Sequence, residues 1–464
     1  MGGRVFWTLP QRIFLRRPKC LPDSQCLMRK SRIFPSAPYS DSSRSDVEYQ
    51  LMEKHVEDLS GYQPGGYHPI QINDRLHNRY RIVHKLGYGT YSTAWLALDE
   101  QMLKYVAVKV GTADPDIREA DILSQLRKGV AASCRVEEKV SMIPLTLDRF
   151  NIEGPNGTHP CFVTLPARCN LRDAKEASDS RLFQLDVARS LAAQLTLAIS
   201  LVHSQGYAHG DLHLGNLLFQ LPSSLANLSL DELYAKFRAP ELEPVARLDG
   251  KPLPSGVPSH AVQPVWLGGA SDEIVLSEAK LILNDFGTAF RPSDNTRFES
   301  YTPLIIRPPE ALFEPTTPLS FASDIWSLGC TIFELLAHRS LIDAYFLVIQ
   351  DDITAQQVHL QGPLPSEWWD RWEGRRDWFD EAGKPLENKC DIRSWDRRFE
   401  QWIQEPRQSC SMDVINEEEK AALLGLLKWM LAWRPEGRPT VEEVLNTAWM
   451  KKWALPAYEG SRKV

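Results

Sequence analysis

Short alternating runs of apolar and polar residues mark the first part of the chain, and helical periodicity marks the second. Runs rich in β-branched and aromatic residues predict strands, and apolar residues spaced three and four apart predict helices. The strand-like runs are Tyr80 to Leu86, Thr93 to Leu98 and Tyr105 to Val110, with further short strands up to Leu165. The helical runs are Asp116 to Leu126, Leu182 to His203, Ala322 to Ala337, Glu417 to Trp433 and Val441 to Trp449.

This order predicts an α+β, bilobal fold in which a small β-rich lobe precedes a larger α-helical lobe, with a ligand cleft between them. Punctuation by Pro, Gly and Ser divides the chain further. The expected units are residues 1–45 (basic tail or presequence), 46–79 (N-terminal extension), 80–167 (first lobe), 168–452 (second lobe) and 453–464 (C-terminal tail). Two insertions interrupt the second lobe: residues 221–279 are rich in Pro, Ser and Gly, and residues 351–411 are rich in Trp and mixed charge. We interpret the second insertion as helical and packed on its lobe, with a peptide-docking surface as the alternative.

Charge is distributed unevenly along the chain. Residues 1–40 hold eight Lys or Arg and one acid, Asp23, so they carry +7 and the remaining residues carry −14 of the total of −7. A basic, acid-poor start is typical both of a disordered tail and of a mitochondrial presequence, and both stay open. The acidic remainder is expected to attract basic protein partners. We expect no direct nucleic-acid partner.

Cysteine usage and apolar content bear on the compartment. The eight cysteines include no CxxC pair and are spread from Cys20 to Cys410, which indicates a reducing environment. No apolar run approaches the roughly 20 residues that span a bilayer, and the best candidate, Leu423 to Trp433, is broken by Lys428. We therefore expect a monomer of the cytoplasm or nucleus without a membrane partner, and mitochondrial import through residues 1–40 as an alternative.

The segment His209 to Asn216, with the sequence HGDLHLGN, places Asp211 and Asn216 five positions apart directly after a helical run. In the catalytic loop of phosphotransferases this spacing lets the Asp accept a hydroxyl proton while the Asn holds a magnesium ion. The motif HGDLHLGN resembles the catalytic loops of small-molecule phosphotransferases as well as those of enzymes that phosphorylate proteins. The loop alone therefore indicates phosphoryl transfer and leaves the acceptor open.

Three further elements could complete a nucleotide site. Gly87 to Ser92 lies between two strands, where glycines allow backbone N–H groups to approach phosphates, although a plain hairpin turn is the alternative. Lys109 lies inside an apolar strand, so its ammonium needs an anion, and Glu119 is a candidate partner on the following helix. Asp285 ends an apolar strand and, with Asn216, would suit Mg²⁺.

These elements, in this order, resemble the signature set of eukaryotic protein kinases over about residues 80–452. The matching residues are Gly87, Gly89, Lys109, Glu119, His209, Asp211, Asn216, Asp285 to Gly287, Pro309, Glu310, Asp324 and Arg438. Gly65 to Pro69 (GGYHP), the run from Lys85 to Ala97 and the insertion 221–279 are similar to the SR-protein kinase (SRPK-like) group.

The resemblance implies a serine/threonine protein kinase that uses ATP and Mg²⁺ and acts on basic, Arg/Ser-rich protein segments. It implies that Asp211 orients the substrate hydroxyl, that Lys109 binds phosphates while paired with Glu119, and that Asn216 and Asp285 hold magnesium. The implied ATP contacts are Leu86, Gly87, Tyr88, Gly89, Ser92, Ala94, Ala107, Lys109 and Leu218. The implied structural groups are an internal stack of Leu123, His209, Phe286 and Asp324, and a buried ion pair of Glu310 with Arg438.

Two departures affect the implied activity. Gly210 stands where many kinases have Arg, which predicts activity that does not depend on a phosphorylated activation loop. His213 takes the place of a catalytic lysine, and a partly charged imidazole predicts a weaker electrostatic contribution. The core polar residues are all present, which favours a competent kinase over a pseudokinase scaffold. A small-molecule phosphotransferase would lack Pro309-Glu310 and Arg438.

Overall fold

A computed structural model describes residues 47–50, 56–113, 118–128, 141–343, 349–386 and 393–463. The basic segment 1–40, for which we predicted a tail or presequence, lies outside these ranges. The strands are β1 (Tyr49–Gln50), β2 (Arg75–Leu76), β3 (Tyr80–Gly89), β4 (Ser92–Asp99), β5 (Lys104–Gly111), β6 (Asp148–Gly154), β7 (Gly157–Thr164), β8 (Ala167–Asn170), β9 (Leu217–Gln220), β10 (Leu242–Pro244), β11 (Ala246–Arg247), β12 (His260–Val262) and β13 (Leu281–Leu283).

The helices are α1 (Arg118–Lys128), α2 (Leu171–Glu176), α3 (Leu185–Ser204), α4 (Ser223–Ala226), α5 (Leu230–Phe237), α6 (Glu310–Phe313), α7 (Phe321–Leu336), α8 (Gln350–Gln361), α9 (Ser366–Arg371), α10 (Trp395–Phe399), α11 (Glu405–Ser409), α12 (Glu417–Met430), α13 (Val441–Leu445) and α14 (Leu455–Ser461). Five-residue π-helical turns, Glu400–Gln404 and Met450–Ala454, precede α11 and α14.

The first lobe is built on six antiparallel strands in the order β2–β3–β4–β5–β7–β6. All three strands predicted from the alternating pattern are present, and β3 extends three residues beyond the predicted end at Leu86. The extension occurs because the hairpin ladder continues until Gly89 pairs with Ser92. One sheet face carries a core of branched and aromatic side chains that includes Ile82, Trp95 and Val108.

The second lobe is centred on α3, a helix of 20 residues of which 15 are buried. It is the one helix in the described ranges that is long and apolar enough to cross a membrane, and 83 % of its most apolar window is buried inside the protein. Our choice of Leu423 to Trp433 as the best candidate for a membrane span was therefore wrong. Helix α3 is longer, and its mean hydropathy stays high although it contains a few polar residues. Helix α14 packs along α3, so the segment expected as a tail after residue 452 is part of this lobe.

The insertion 221–279 leaves the second lobe and covers the outer face of the first. Leu233 of α5 lies in a cluster with Val83 and Leu96 of the sheet. The Tyr234 hydroxyl donates to the Val83 carbonyl at 3.2 Å, and the Val265 amide donates to the Lys85 carbonyl at 2.8 Å. The two lobes are therefore joined by this insertion as well as by the segment between β7 and α2.

Aromatic side chains of the insertion 351–411 contribute to a hydrophobic core. Trp368, Trp372 and Phe379 pack around Phe313 in one cluster, and the Trp368 indole N–H donates to a carboxylate oxygen of Glu314 at 3.0 Å. Tryptophan contributes a large apolar area and one N–H group that needs a partner when buried. The six-stranded first lobe and the helical second lobe confirm the α+β, bilobal fold predicted from the sequence pattern.

Candidate active site

The loop after α3 is held in place from below by a buried carboxylate. Asp324 accepts from the His209 amide at 2.7 Å, from the Gly210 amide at 2.9 Å and from His203 Nε2 at 2.9 Å. Burial by itself would raise the pKa of Asp324, but these partners hold it below its usual value. The ionised carboxylate therefore fixes the backbone of His209 and Gly210, the two residues that precede Asp211.

Gly210 has a backbone conformation that explains its residue type. Its φ is +78°, and an added Cβ would lie 3.1 Å from the Thr288 carbonyl oxygen and 3.3 Å from the Phe290 ring. Glycine adopts positive φ readily, whereas a larger side chain would be strained and crowded here. The departure from Arg noted in the sequence therefore belongs to the local packing of this loop.

Asp211 and Asn216 are brought together as the spacing predicted. The Asn216 side-chain amide donates to the Asp211 carbonyl at 2.9 Å and to Asp211 Oδ2 at 3.0 Å. The second carboxylate oxygen, Oδ1, is buried and has no hydrogen-bond partner among the described residues. A buried acceptor without a donor is unfavourable on its own, and a substrate hydroxyl would satisfy it.

Lys109 lies between two carboxylates that come from different parts of the chain. Its ammonium is 2.6 Å from Glu119 Oε2 on α1 and 3.6 Å from Asp285 Oδ1. Burial would lower the pKa of Lys109, but Glu119 and Asp285 outweigh it and raise the pKa well above its usual value. The Phe286 amide also donates to Glu119 Oε1 at 3.3 Å, which ties α1 to the segment that follows β13.

Asp285 is placed beside Asn216 by strand pairing. Strands β13 and β9 pair antiparallel, and the Asn284 amide donates to the Asn216 carbonyl at 2.8 Å. Asp285 has a left-handed φ of 63°, and Lys109 holds the pKa of its carboxyl below the usual value, so this group is ionised.

One carboxylate and one amide oxygen fit Mg²⁺, which usually takes its remaining ligands from phosphates and water. Within the ranges that the structure describes, no group of three or more His, Cys, Asp or Glu side chains could hold a metal. Asn216 and Asp285 would therefore supply part of a magnesium coordination shell, and phosphates and water would supply the rest.

Most of the residues expected to contact ATP lie on the paired strands β3, β4 and β5, and Leu218 lies on β9. Gly87 and Gly89 have open space where a Cβ would be, so their backbone can be approached closely. The other expected ATP contacts are half-buried and have fully buried neighbours in the sequence: Leu86, Ser92, Ala94, Ala107 and Leu218. The Tyr88 side chain differs, because its ring lies 5.4 Å from the Lys85 ammonium on the side of the N-terminal extension. Only the Tyr88 backbone is then left for a phosphate.

The structural groups implied by the resemblance are also assembled. Leu123, His209 and Phe286 are buried in one cluster region, with the His209 and Phe286 ring centroids 4.9 Å apart. Arg438 donates to both carboxylate oxygens of Glu310, at 2.8 and 2.7 Å. This bidentate pair is buried, and two bonds in a fixed plane give it orientation as well as energy.

A second lysine was missed from the sequence. Lys85 is 1 % exposed and forms a buried ion pair with Glu57 of the N-terminal extension, whose other carboxylate oxygen accepts from the Tyr62 hydroxyl. Next to this pair, the Tyr67 hydroxyl donates to the Gly89 carbonyl at 2.7 Å. The signal was available, because Lys85, like Lys109, lies inside an apolar strand. The extension therefore supports the glycine-rich hairpin directly.

His213 faces Asp211 and has an unexpected neighbour. Its Nε2 is 3.5 Å from Asp211 Oδ2, and its Nδ1 is 3.1 Å from Nη2 of Arg172 on α2. Nothing in the sequence marked Arg172, because α2 is 41 residues away along the chain and its position is set by the fold.

Comparisons with known proteins find protein kinases. The protein kinase domain family matches residues 271–450, a range that includes Asp285 and Arg438 but begins after Asp211. A serine/threonine protein kinase of Aspergillus fumigatus is 24 % identical over 444 residues, which cover 91 % of this chain and 98 % of that protein. The serine/threonine-protein kinase SRPK of Physarum polycephalum is 26 % identical over 436 residues, 86 % of this chain and 92 % of that protein.

A solved structure supports the fold. The crystal structure of the kinase domain of PF14_0431 superposes with a TM-score of 0.54 at 18 % identity, covering 83 % of this chain and 98 % of that one. Its sequence similarity is too low to carry more than the fold. The kinase domain match over residues 271–450 and the serine/threonine protein kinases found as relatives over most of the chain, an SRPK among them, support a serine/threonine protein kinase similar to the SRPK-like group.

Proposed function

We propose that the protein transfers the γ-phosphate of ATP, in the presence of Mg²⁺, to serine or threonine in basic, Arg/Ser-rich segments of other proteins. The observation that carries the proposal is the assembly of Lys109, Glu119 and Asp285 within ion-pair distance, in the same cleft as Asp211 with its free carboxylate oxygen. Positioning and electrostatic stabilisation provide nearly all of the catalysis in phosphoryl transfer, so this arrangement is the relevant evidence.

The proposed roles follow from the contacts of each side chain. Asp211 Oδ1 accepts the proton of the substrate hydroxyl, whose oxygen forms the new bond to the γ-phosphorus. The bond from that phosphorus to the bridging oxygen breaks, and its electron pair leaves with ADP. Lys109, held by Glu119, binds the phosphates of the nucleotide. Asn216 and Asp285 would hold Mg²⁺, which neutralises charge on the phosphate oxygens when bound.

The loop geometry supports activity without phosphorylation of the activation segment. The Lys109–Glu119 ion pair is already formed. Gly210 stands at the position where an Arg would bind a phosphorylated activation segment, and the space around it is too crowded for a side chain. Thr302 is buried and its hydroxyl donates to the Gly210 carbonyl at 3.3 Å. The segment following Asp285 is thus connected to the loop by neutral hydrogen bonds.

Charge supports the basic substrate at long range but also limits where its arginines can bind. The chain outside residues 1–40 carries −14. Close to Asp211, however, Arg172 stands behind His213, and Arg307 is half-buried near enough for Asp211 to act on its pKa, which burial lowers. We therefore expect the substrate's arginines to bind at a distance from the phosphorylated residue.

The test uses the full-length protein, Mg²⁺ and ATP labelled at the γ-phosphate, with peptide arrays of Arg–Ser, Lys–Ser and Glu–Ser repeats. We expect transfer to the Arg–Ser peptides, and a loss of about 10³-fold or more in Asp211→Ala. Asp249→Ala, which removes an exposed carboxylate in the insertion, serves as the matched control. Binding of Mg-ATP without transfer to any peptide would instead make the protein a scaffold. Transfer to Glu–Ser peptides alone would reject the proposed substrate class.

A further inference from the structure

Two donors at Nδ1 determine which ring nitrogen of His213 carries the N–H group. Its Nδ1 lies 3.0 Å from the Gly215 amide nitrogen and 3.1 Å from Arg172 Nη2. A backbone amide and a guanidinium can only donate, so Nδ1 must accept and the ring proton must be on Nε2. That nitrogen is the one nearest to Asp211, at 3.5 Å from Oδ2. The hydrogen-bond geometry therefore places the ring N–H group on the side of Asp211.

Gly215 makes this arrangement possible. A Cβ at Gly215 would lie 2.8 Å from His213 Cε1, 2.9 Å from Nδ1 and 3.5 Å from Arg172 Cζ. Any side chain there would push the ring away from the Gly215 amide and from Arg172. The absence of a side chain at residue 215 is therefore a requirement of the His213 conformation.

Arg172 brings a permanent positive charge behind the ring. It lies in the first turn of α2, a helix whose N-terminus is capped by Asn170. In the described part of the chain, no carboxylate lies within ion-pair distance of its guanidinium, and His213 is the side chain to which it donates. His213 itself is 14 % exposed, so the pair is largely shielded from water and its electrostatic effect is correspondingly strong.

We propose that Arg172, His213 and Gly215 form one unit that stabilises the transferring phosphoryl group, in which His213 donates through Nε2–H and Arg172 is a positioning residue. Arg172 acts through the ring: its hydrogen bond to Nδ1 keeps the ring proton on Nε2 and makes that N–H group a stronger donor. Preorganised donors aimed at developing charge are the main source of catalysis in such sites. This inference rests on the proposed phosphoryl transfer.

The kinetic test compares Arg172→Ala, His213→Ala and the double variant in the full-length protein. We expect kcat to fall about 30-fold in His213→Ala and about tenfold in Arg172→Ala, with the KM values for ATP and peptide changed less than threefold. The double variant should be no slower than His213→Ala, since Arg172 acts through the ring. Arg172→Lys, which keeps the charge and a donor, should recover part of the loss, and Arg75→Ala removes an exposed guanidinium as the control.

A spectroscopic test does not depend on turnover. Long-range ¹⁵N–¹H correlation of the His213 ring, assigned with His213→Gln, should show the Nε2–H tautomer in the wild type and lose it in Arg172→Ala. Multiplicative losses in the double variant, or an unchanged tautomer in Arg172→Ala, would overturn the inference. A raised peptide KM with normal kcat would assign Arg172 to substrate binding instead. A wild-type protein without any transferase activity would reject the proposed function, whereas the tautomer could still be measured.

Discussion

Two lysines on neighbouring parts of the same sheet form ion pairs with opposite properties. Lys109 on β5 is 25 % exposed and interacts with two carboxylates, Glu119 and Asp285, which raise its pKa. Lys85 on β3 is 1 % exposed and pairs with one carboxylate among the described residues, that of Glu57, and burial lowers its pKa despite that partner. Both are lysines in apolar strands, each paired with a glutamate from outside the sheet.

The difference shows which pair can do chemistry. A second anion and contact with the cleft keep Lys109 charged and leave its ammonium available to a phosphate. Lys85 is closed off by Glu57 and by the Tyr88 and Trp95 rings, each centred 5.4 Å from its ammonium. Removing one partner of such a closed pair leaves a buried group without compensation. We therefore expect Lys109 to serve in phosphate binding and Lys85 to attach the N-terminal extension to the sheet.

The largest expected effect separates the two lysines by activity. Lys109→Met should reduce kcat/KM for phosphoryl transfer about 10³-fold, equivalent to roughly 4 kcal/mol, because a phosphate-binding charge is lost. The melting temperature should fall less than in Lys85→Met, since Glu119, at 13 % exposure, can still reach solvent. Steady-state kinetics and thermal unfolding check both parts. Normal activity in Lys109→Met would end the assignment.

The next effect separates them by stability. Lys85→Met should lower the free energy of unfolding by about 3 kcal/mol, because Glu57 stays buried at 4 % exposure without its counter-ion. Adding Glu57→Gln in the same chain should restore part of that loss. Denaturant unfolding measures both variants. A loss of less than about 0.5 kcal/mol in Lys85→Met would show that the pair does not hold the extension.

The pH dependence of stability should have opposite signs for the two residues. Lys85 has a lowered folded-state pKa, so the unfolded chain binds more protons and its contribution rises with pH up to the ordinary value of about 10.4. Lys109 has a raised pKa, so its contribution is complete below about 10.4 and is lost as pH rises through the folded-state value.

Each slope is at most about 1.4 kcal/mol per pH unit. It is measured as the difference in unfolding free energy between wild type and the matching Met variant across alkaline pH. Because both variants share all other titrating groups with the wild type, the differences isolate the two lysines. Slopes of the same sign would contradict the comparison.

The smallest effect tests the contact between the extension and the glycine-rich hairpin. Tyr67→Phe removes the hydrogen bonds to the Gly89 carbonyl at 2.7 Å and the Thr90 carbonyl at 3.2 Å, so the KM for ATP should rise about fivefold, or roughly 1 kcal/mol. Tyr62→Phe, which loses a hydroxyl bonded to Glu57, should lower stability and leave the KM for ATP unchanged. If Tyr67→Phe has the same KM for ATP as Tyr62→Phe, the N-terminal extension does not contribute to nucleotide binding.

Much of the fold and of the site was predictable because it depends on local pattern. Alternating residues gave the strands around Lys109, and the spacing of Asp211 and Asn216 placed two polar groups on one loop. Boundaries were less accurate where tertiary contacts decide them. Helix α3 begins three residues after the predicted Leu182, and β3 continues into the glycine-rich hairpin because its partner strand supplies hydrogen bonds.

Other residues could not be found from pattern because their partners are remote in sequence. Arg172 meets His213 across 41 positions, and Tyr67 meets Gly89 across 22. The two donors at Nδ1 of His213, the Gly215 amide and Arg172, likewise could not be found from the sequence pattern. A single sequence contains no term for such contacts, which arise when separate elements pack.

The sequence by itself determined the class of chemistry: an Asp and an Asn five residues apart, a lysine in an apolar strand and an acid at a strand end belong to phosphoryl transfer. Only the tertiary structure decided which of two similar lysines faces the cleft and which charge stands behind His213. The physical reason is that residue type and spacing fix what a group can do. Burial and the number of nearby charges fix its protonation and availability, and both are set by packing between distant segments.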